Sequence, residues 1–139
     1  MPVAGEAAEQ GRVHEHPDSV DRGAQAVAFY QTAFGATVLH RVGAGEDIVA
    51  RMAIGDAAFW VSTAGSTGQR VNPKSIGGAT GRTLLVVDDP DAVFHRAVTA
   101  GASATARPAN EHGWRLGRIT DPFGHEWEIG RPLDTWPPP

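Results

Sequence analysis

The stretch DPFGHEWEIG, residues 121–130, carries the pattern from which the fold of this chain is predicted. Asp-Pro-Phe-Gly is typical of a tight turn, and the residues that follow alternate as in a short strand. Glu126 and Glu128 are two residues apart, so they lie on the same face of that strand. On an inner face, Glu128 would be a candidate metal ligand, general base or partner of a cationic ligand. The same alternation places Trp127 on the opposite face, against the helices that cover the sheet.

The residues before this turn predict a strand, a helix and two more strands. RTLLVV (82–87) predicts a buried strand. DDPDAVFHRAVTAGA (88–102) predicts a helix, with Asp88 or Asp89 as its N-cap and Pro90 in its first position. ASATARP is a weaker strand pattern, whereas WRLGRIT (114–120) is a stronger one.

The first half of the chain shows the same order of elements. GAQAVAFYQTAFG predicts a helix that ends at Gly35, and three strand patterns follow at TVLHRV (37–42), DIVARMAI (47–54) and AAFWVST (57–63). The repeating unit is therefore roughly 65–70 residues long. Its opening strand must lie within VHEHPDSV, which is polar and interrupted by proline. We expect that segment to form an edge strand or a strand exchanged between subunits.

Two such units side by side predict an α+β fold in one domain, with a curved mixed sheet around a shared cleft. The 139 residues suffice for one ordinary domain but not for two. The predicted domain spans residues 14–131, between a loose N-terminal tail at 1–13 and a proline-rich C-terminal tail at 132–139. Within the domain, module one spans 14–63, a loop spans 64–81 and module two spans 82–131.

Composition excludes several classes of function. The formal net charge of -4 provides no basic field for nucleic acid or an anionic membrane surface. The sequence has no apolar run of about 20 residues and no signal pattern, so a cytoplasmic location is expected. Because the chain contains no cysteine, any metal site must be built from His, Asp and Glu.

The two units resemble the vicinal oxygen chelate superfamily. The resemblance rests on AVAFYQTAFGA in the first unit and on DDPDAVFHRAVTAGA with DPFGHEWEI in the second, and it covers about residues 21–131. That superfamily contains glyoxalase I, extradiol dioxygenases, fosfomycin-inactivating enzymes and bleomycin-binding resistance proteins. The resemblance implies paired βαβββ modules that form an open cup, often completed by dimerisation, so a homodimer is expected.

In metal-using members, four inward positions hold a divalent ion, one on the first and one on the last strand of each module. The resemblance places these positions at His14, Trp60, Arg82 and Glu128. Trp60 cannot bind a metal, and the positive charge of Arg82 would repel one. Only two of the four positions therefore carry a competent ligand, and we expect no metal cofactor.

Two interpretations of these residues remain open. His14, His16 and Asp18 share one face if their segment is a strand, so a metal site could still use His14, His16 and Glu128. This alternative is a divalent-metal-dependent lyase, isomerase or dioxygenase of the same superfamily. In the other interpretation, Arg82 and Glu128 form a salt bridge across the module interface, because either charge would be costly to bury alone.

The preferred prediction is a protein that binds, or sequesters, a small organic molecule in an aromatic-lined cup, similar to the resistance-protein branch. His14, Trp60, Arg82 and Glu128 are expected to line the cavity. Trp114 is a further aromatic candidate, but the sequence does not show which face of the sheet its side chain occupies.

Enzymatic activity is left open, as is a purely structural cup. The acid–base candidates are His40, His112, His125 and Glu128, and they form no recognisable set of nucleophile, base and acid. The segment NEHGW (110–114) is either an exposed connection or a loop that closes over the mouth of the cup.

Overall fold

The computed structural model describes residues 17–63, 73–79 and 81–134. Its elements are, in chain order, β1 (Pro17–Val20), α1 (Gly23–Phe34), β2 (Thr37–Ala44), β3 (Asp47–Ile54), β4 (Ala57–Thr63), α2 (Pro73–Ile76), β5 (Arg82–Val86), α3 (Pro90–Thr99), β6 (Ser103–Glu111), β7 (Trp114–Thr120) and β8 (Glu126–Pro132). The predicted order of a strand, a helix and three strands therefore occurs twice. The predictions for His14 and His16 lie outside the described residues.

Each module contributes one four-stranded mixed sheet. The strand orders are β1-β4-β3-β2 and β5-β8-β7-β6. In both sheets the first strand runs parallel to the fourth and lies at an edge. Strand β1 thus pairs with its own module at a sheet edge, so of the two alternatives predicted for VHEHPDSV, its described residues 17–20 form the edge strand. The two modules keep separate hydrogen-bonded ladders, and they are joined by their side chains.

The helix ends follow from local chemistry. Helix α1 has no capping side chain at Arg22; instead, Glu46 Oε2 in the β2–β3 turn accepts from the backbone N–H of Ala24 at 2.9 Å. Gly35 ends α1 in the left-handed conformation with φ 67°, as predicted. At the start of α3, Asp89 accepts from a backbone N–H of the first turn, so Asp89 is the N-cap among the two predicted candidates.

An aromatic core joins the two modules. Trp127 of β8 is 2% exposed, which confirms the prediction that it faces the helices. Its ring centroid lies 5.5 Å from Tyr30 and 4.8 Å from Phe34, both on α1, and 5.9 Å from Phe59 on β4. Because three of these four rings belong to module one, burial of Trp127 holds the modules together.

A buried carboxylate lies at the same junction. Asp121 begins the turn before β8 and is 3% exposed. Its Oδ2 accepts from the Tyr30 hydroxyl at 2.6 Å and from the Trp127 indole N–H at 2.9 Å. Its Oδ1 accepts from the backbone N–H groups of Phe123 at 2.9 Å and His125 at 3.0 Å. Four donors thus compensate the buried charge, as such a group requires.

One predicted loop is instead a tight turn. Of the two alternatives for NEHGW, the exposed connection is confirmed and the loop that closes over a cup is wrong, because β6 extends to Glu111 and β7 begins at Trp114. His112 and Gly113 alone form the connection, with φ values of 51° and 82°. Two consecutive positive φ values are typical of the tight hairpin turns that match strand twist. The weak pattern ASATARP becomes part of β6, where its pairing with β7 shows two irregularities.

No helix among the described residues is both long enough and apolar enough to cross a membrane.

The ion pair between Asp91 and Arg115 provides a pH-dependent contact between α3 and β7. Arg115 donates two hydrogen bonds to the Asp91 carboxylate, at 3.0 and 2.7 Å. The hydrogen bond from Arg115 lowers the pKa of Asp91 below its ordinary value, against the opposing effect of desolvation. A lowered folded-state pKa adds stability above the unfolded pKa, and this stability is lost as the pH falls.

We therefore expect Asp91→Asn to destabilise the protein at pH 7 and to have progressively less effect below about pH 4. Urea unfolding at several pH values measures the difference between variant and wild type. Asp56→Asn, in the exposed β3–β4 turn, is the control and should show no such trend. A difference that stays constant down to pH 2.5 would contradict the pairing.

Candidate functional site

Each sheet has one face that points away from α1 and α3, which we call its open face. On β4, Phe59 packs against Tyr30 of α1, so the adjacent Trp60 points to the open face. On β7, a Cβ atom added to Gly117 would approach Phe94 of α3 to 2.9 Å. The helices therefore lie against the odd-numbered residues of β7, and the even-numbered residues occupy the open face.

Arg82 and Glu128 lie side by side on the open face of the second sheet. Arg82 Nη1 is 3.5 Å from Glu128 Oε2, which confirms the predicted salt bridge. Its predicted location across the module interface is wrong, however. Strand β5 pairs in parallel with β8, so both partners belong to module two.

Sequence reasoning missed Arg118, which is the best-anchored member of this site. Its Nε donates to Glu128 Oε2 at 3.0 Å, and its Nη2 donates to Glu111 Oε1 at 2.7 Å. The hydrogen bond with Glu111 and then that with Glu128 raise the pKa of Arg118 above its ordinary value. Because β7 pairs with β8 around the turn that begins at Asp121, Arg118 stands directly opposite Glu128. This pairing could have been predicted from the sequence by counting residues in both directions from that turn, which pairs Thr120 with Glu126 and therefore Arg118 with Glu128.

Together, Arg82, Glu111, Arg118 and Glu128 form what we call the Glu128 cluster. Three of the four predicted metal positions lie within the described residues. Of these three, only Glu128 is a competent ligand, because the other two are Trp60 and Arg82. Its carboxylate already contacts two guanidinium groups, which would repel a divalent ion placed beside it. Within the described ranges, no group of three or more His, Cys, Asp or Glu side chains is arranged to hold a metal. The described residues therefore do not fit a divalent ion.

Trp60 occupies the corresponding place in the first module. It is half-buried on the open face of the first sheet, opposite Arg51 of β3. An arginine of the third strand thus stands beside Trp60, just as Arg118 stands beside Glu128. No ring or ionic contact joins Trp60 to Arg82 or Glu128 in the part of the chain that is described.

Trp114 shares the open face with the Glu128 cluster but lies farther along the sheet. It is half-buried at the start of β7, four residues from Arg118, which corresponds to roughly 13 Å along a strand. The sequence did not show which face Trp114 occupies. Because Gly117 lies against α3, the even-numbered Trp114 must lie on the opposite, open face of β7. Whether Trp60, Arg82, Glu128 and Trp114 contact a ligand remains a prediction.

The histidines considered as acid–base candidates have separate locations. His125 Nε2 lies 2.8 Å from the backbone oxygen of Ser19, so this side chain ties the turn before β8 to the edge strand β1. His112 belongs to the β6–β7 turn. His40 is exposed on β2, opposite Arg51.

Coupling between charges tests the geometry of the Glu128 cluster. Arg118 has the shorter contact and its side chain is less exposed than that of Arg82. We expect a double-mutant cycle of Arg118→Ala with Glu128→Ala to give a coupling energy of about 1 kcal/mol, and the cycle with Arg82→Ala to give about 0.5 kcal/mol. In both cycles the double variant should lose less stability than the sum of the single variants. Urea unfolding measures all five variants, and additivity in the Arg118 cycle would show that this contact is absent.

Comparison with known proteins gives consistent matches over both modules. The family model described as Glyoxalase/Bleomycin resistance protein/Dioxygenase superfamily matches residues 19–129. The chain is 37% identical over 120 residues to an uncharacterized protein of Mycobacterium tuberculosis, covering 82% of this chain and 71% of the relative. A solved structure of an Arabidopsis thaliana gene product matches with a TM-score of 0.70 and 27% identity, over 84% of this chain and 96% of that one. TioX from Micromonospora sp. ML1 matches with a TM-score of 0.67 and 25% identity, over 85% and 96%.

Proposed function

Because the chain belongs to the glyoxalase/bleomycin resistance protein/dioxygenase superfamily, we propose that it binds and sequesters a small organic molecule without a tightly held metal ion. We place the site on the open faces of the sheets, where Arg82, Glu128 and Trp114 lie on the second sheet and Trp60 lies on the first. The observation that carries this proposal is that the Glu128 carboxylate is paired with two arginines. Its carboxylate is held by Arg118 and Arg82, and Arg82 itself occupies a position where metal-using relatives are expected to place a ligand.

Exposed aromatic and aliphatic surface supports the binding of an apolar ligand. Trp60 and Trp114 are half-buried on the open faces of the first and second sheets. Leu84 of β5 is 40% exposed, although its strand is otherwise anchored to the core by Leu85. A planar molecule that covers such side chains gains hydrophobic and stacking free energy.

Tryptophan fluorescence is the direct test of ligand binding. Titration with a panel of neutral, anionic and cationic aromatic compounds should give saturable changes for at least one compound. In Trp60→Phe the change should shrink, because we propose that Trp60 is one of the aromatic side chains that contact the ligand. Leu133→Ala, which removes an exposed apolar side chain after β8, is the control and should leave the titration unchanged. No response to any compound would count against the proposal.

Metal analysis separates binding from the metal-dependent alternative. Protein purified without chelator should contain far less than one divalent ion per chain. About one ion per chain, lost in Glu128→Ala, would instead support a lyase, isomerase or dioxygenase that uses Glu128 with His14 and His16. Arg115→Ala, which removes a charge on the helix side of β7, is the matched control.

We further propose a cytoplasmic homodimer, for which strand β2 is a candidate contact. All eight of its residues are exposed, and it lies at the edge of the first sheet. Leu39 and Val42 are 52% and 50% exposed, an apolar edge that natural proteins usually cover. Light scattering should give twice the chain mass for the wild type and the single mass for Leu39→Lys with Val42→Lys. Val98→Lys on α3 is the control, and an unchanged mass in the β2 variant would exclude this contact.

A further inference from the structure

The Glu128 cluster leaves specific hydrogen-bonding atoms available to a ligand. Arg118 is held in place within the cluster, because its Nε donates to Glu128 and its Nη2 donates to Glu111. Both guanidinium contacts of Glu128 are made to Oε2, and Oε1 accepts no hydrogen bond from the residues that the structure describes. The Arg82 side chain is 49% exposed, and within the described residues it makes an ionic contact but donates no hydrogen bond. An acceptor oxygen therefore lies beside uncommitted N–H donors.

The charges around these atoms disfavour a ligand with a net charge. The Glu128 cluster contains two arginines and two glutamates, so its formal charges cancel. A further carboxylate, Glu126, stands opposite Arg82 in the β5–β8 ladder, on the same face as Glu128. An anion at Arg82 would thus lie beside two carboxylates, and a cation at Glu128 would lie beside two guanidinium groups. Like charges at such distances are unfavourable.

Apolar side chains border the available atoms. Leu84, 40% exposed, stands opposite Glu128 in the ladder. Leu116 is half-buried on the open face, two residues before Arg118. When a ligand covers this surface, water leaves and the hydrogen bonds beside it strengthen, because the local dielectric constant falls.

From this arrangement we infer that the ligand presents a neutral edge to the Glu128 cluster, with an N–H donor and a carbonyl acceptor side by side. The N–H donates to Glu128 Oε1, and the carbonyl oxygen accepts from Arg82. An aromatic lactam or carboxamide has this edge, and its ring covers Leu84. This inference rests on the proposed function, since it names the chemical class of the molecule bound at that site.

Four compounds of similar size test the inference by isothermal titration calorimetry. They are 2-quinolone, a neutral lactam; N-methyl-2-quinolone, which lacks the donor; 2-naphthoate, an anion; and protonated 2-naphthylmethylamine, a cation. We expect 2-quinolone to bind at least about tenfold more tightly than its N-methyl derivative, since hydrogen bonds to charged groups contribute that much. Its affinity should not change between low and high salt. The two ions should bind no more tightly than the N-methyl derivative.

Variants locate the interaction. Arg82→Ala should lower the affinity for 2-quinolone about tenfold, because the carbonyl oxygen loses a charged donor. Arg131→Ala removes an equal charge from the opposite face of β8 and should leave the affinity unchanged. Since Arg82 is half exposed, its variant is expected to fold, and its far-UV circular dichroism should match that of the wild type.

The outcomes separate this inference from the proposed function. If 2-naphthoate or the naphthylmethylammonium ion binds most tightly, with an affinity that falls as the salt concentration rises, the inference of a neutral ligand edge is wrong. The proposed function of binding a small organic molecule is then still supported. Equal affinities for 2-quinolone and its N-methyl derivative also reject the neutral edge. If none of the four compounds binds at millimolar concentration, the neutral edge is rejected, and the fluorescence titration with the wider panel decides the proposed function separately.

Discussion

Replacing Asp121 with alanine is expected to lower the free energy of unfolding by about 3–5 kcal/mol, because several buried neutral donors lose their shared acceptor at once. The change leaves the Tyr30 hydroxyl, the Trp127 indole N–H and two backbone N–H groups without their acceptor. Each unsatisfied buried donor costs about 1–3 kcal/mol. A loss of this size is a large part of the stability of an ordinary domain.

Urea unfolding at constant pH measures the Asp121 effect, and matched variants identify its cause. Tyr30→Phe removes one of the four donors and should cost about 1–2 kcal/mol. Asp56→Ala removes a carboxylate from the other module's hairpin turn, where the side chain is exposed, and should change stability by less than about 0.5 kcal/mol. If Asp121→Ala resembles Asp56→Ala, the carboxylate does not organise the module junction.

Replacing Trp127 with alanine is expected to cost about 3–5 kcal/mol, the range observed for large aromatic side chains in cores. Trp127 contacts rings of both α1 and β4, so its loss opens a cavity between the modules. Trp127→Phe keeps much of this packing but loses the donor to Asp121, and we expect it to cost about half as much.

The control for Trp127 is Trp114→Ala on the open face, where the indole is half-buried. It should cost about 1 kcal/mol, because less surface is exposed to water by the change. Chemical unfolding monitored by circular dichroism is the appropriate measurement, since the fluorescence signal changes with the number of tryptophans. Equal losses in Trp127→Ala and Trp114→Ala would contradict the assignment of Trp127 to the core.

The secondary structure was well predicted because its signals are local. Strands β3, β4 and β7 match the predicted runs 47–54, 57–63 and 114–120 at both ends. Each run begins directly after a two-residue turn that contains a glycine with positive φ, so neighbouring residues alone determine where the strand starts. Strand β6 was underestimated because its pattern is weak and its pairing with β7 is irregular.

The candidate site was predicted only in part. The pairing of Arg82 with Glu128 was anticipated from the positions that the family resemblance assigned, and it is present. Arg118 was missed because its role depends on which residue faces Glu128 across the β7–β8 hairpin. A shift of one residue in that pairing would have turned Arg118 towards the helices.

The sequence by itself determined the two βαβββ units and the inward facing of Trp127, because periodicity and turn chemistry act over a few residues. Only the tertiary structure decided the partners of Asp121 and Glu128. Tyr30 is 91 positions from Asp121, and this contact exists because α1 of one module packs on β8 of the other. Hydrogen bonds and ion pairs require approach to about 3 Å, and no local pattern specifies which distant donors come that close.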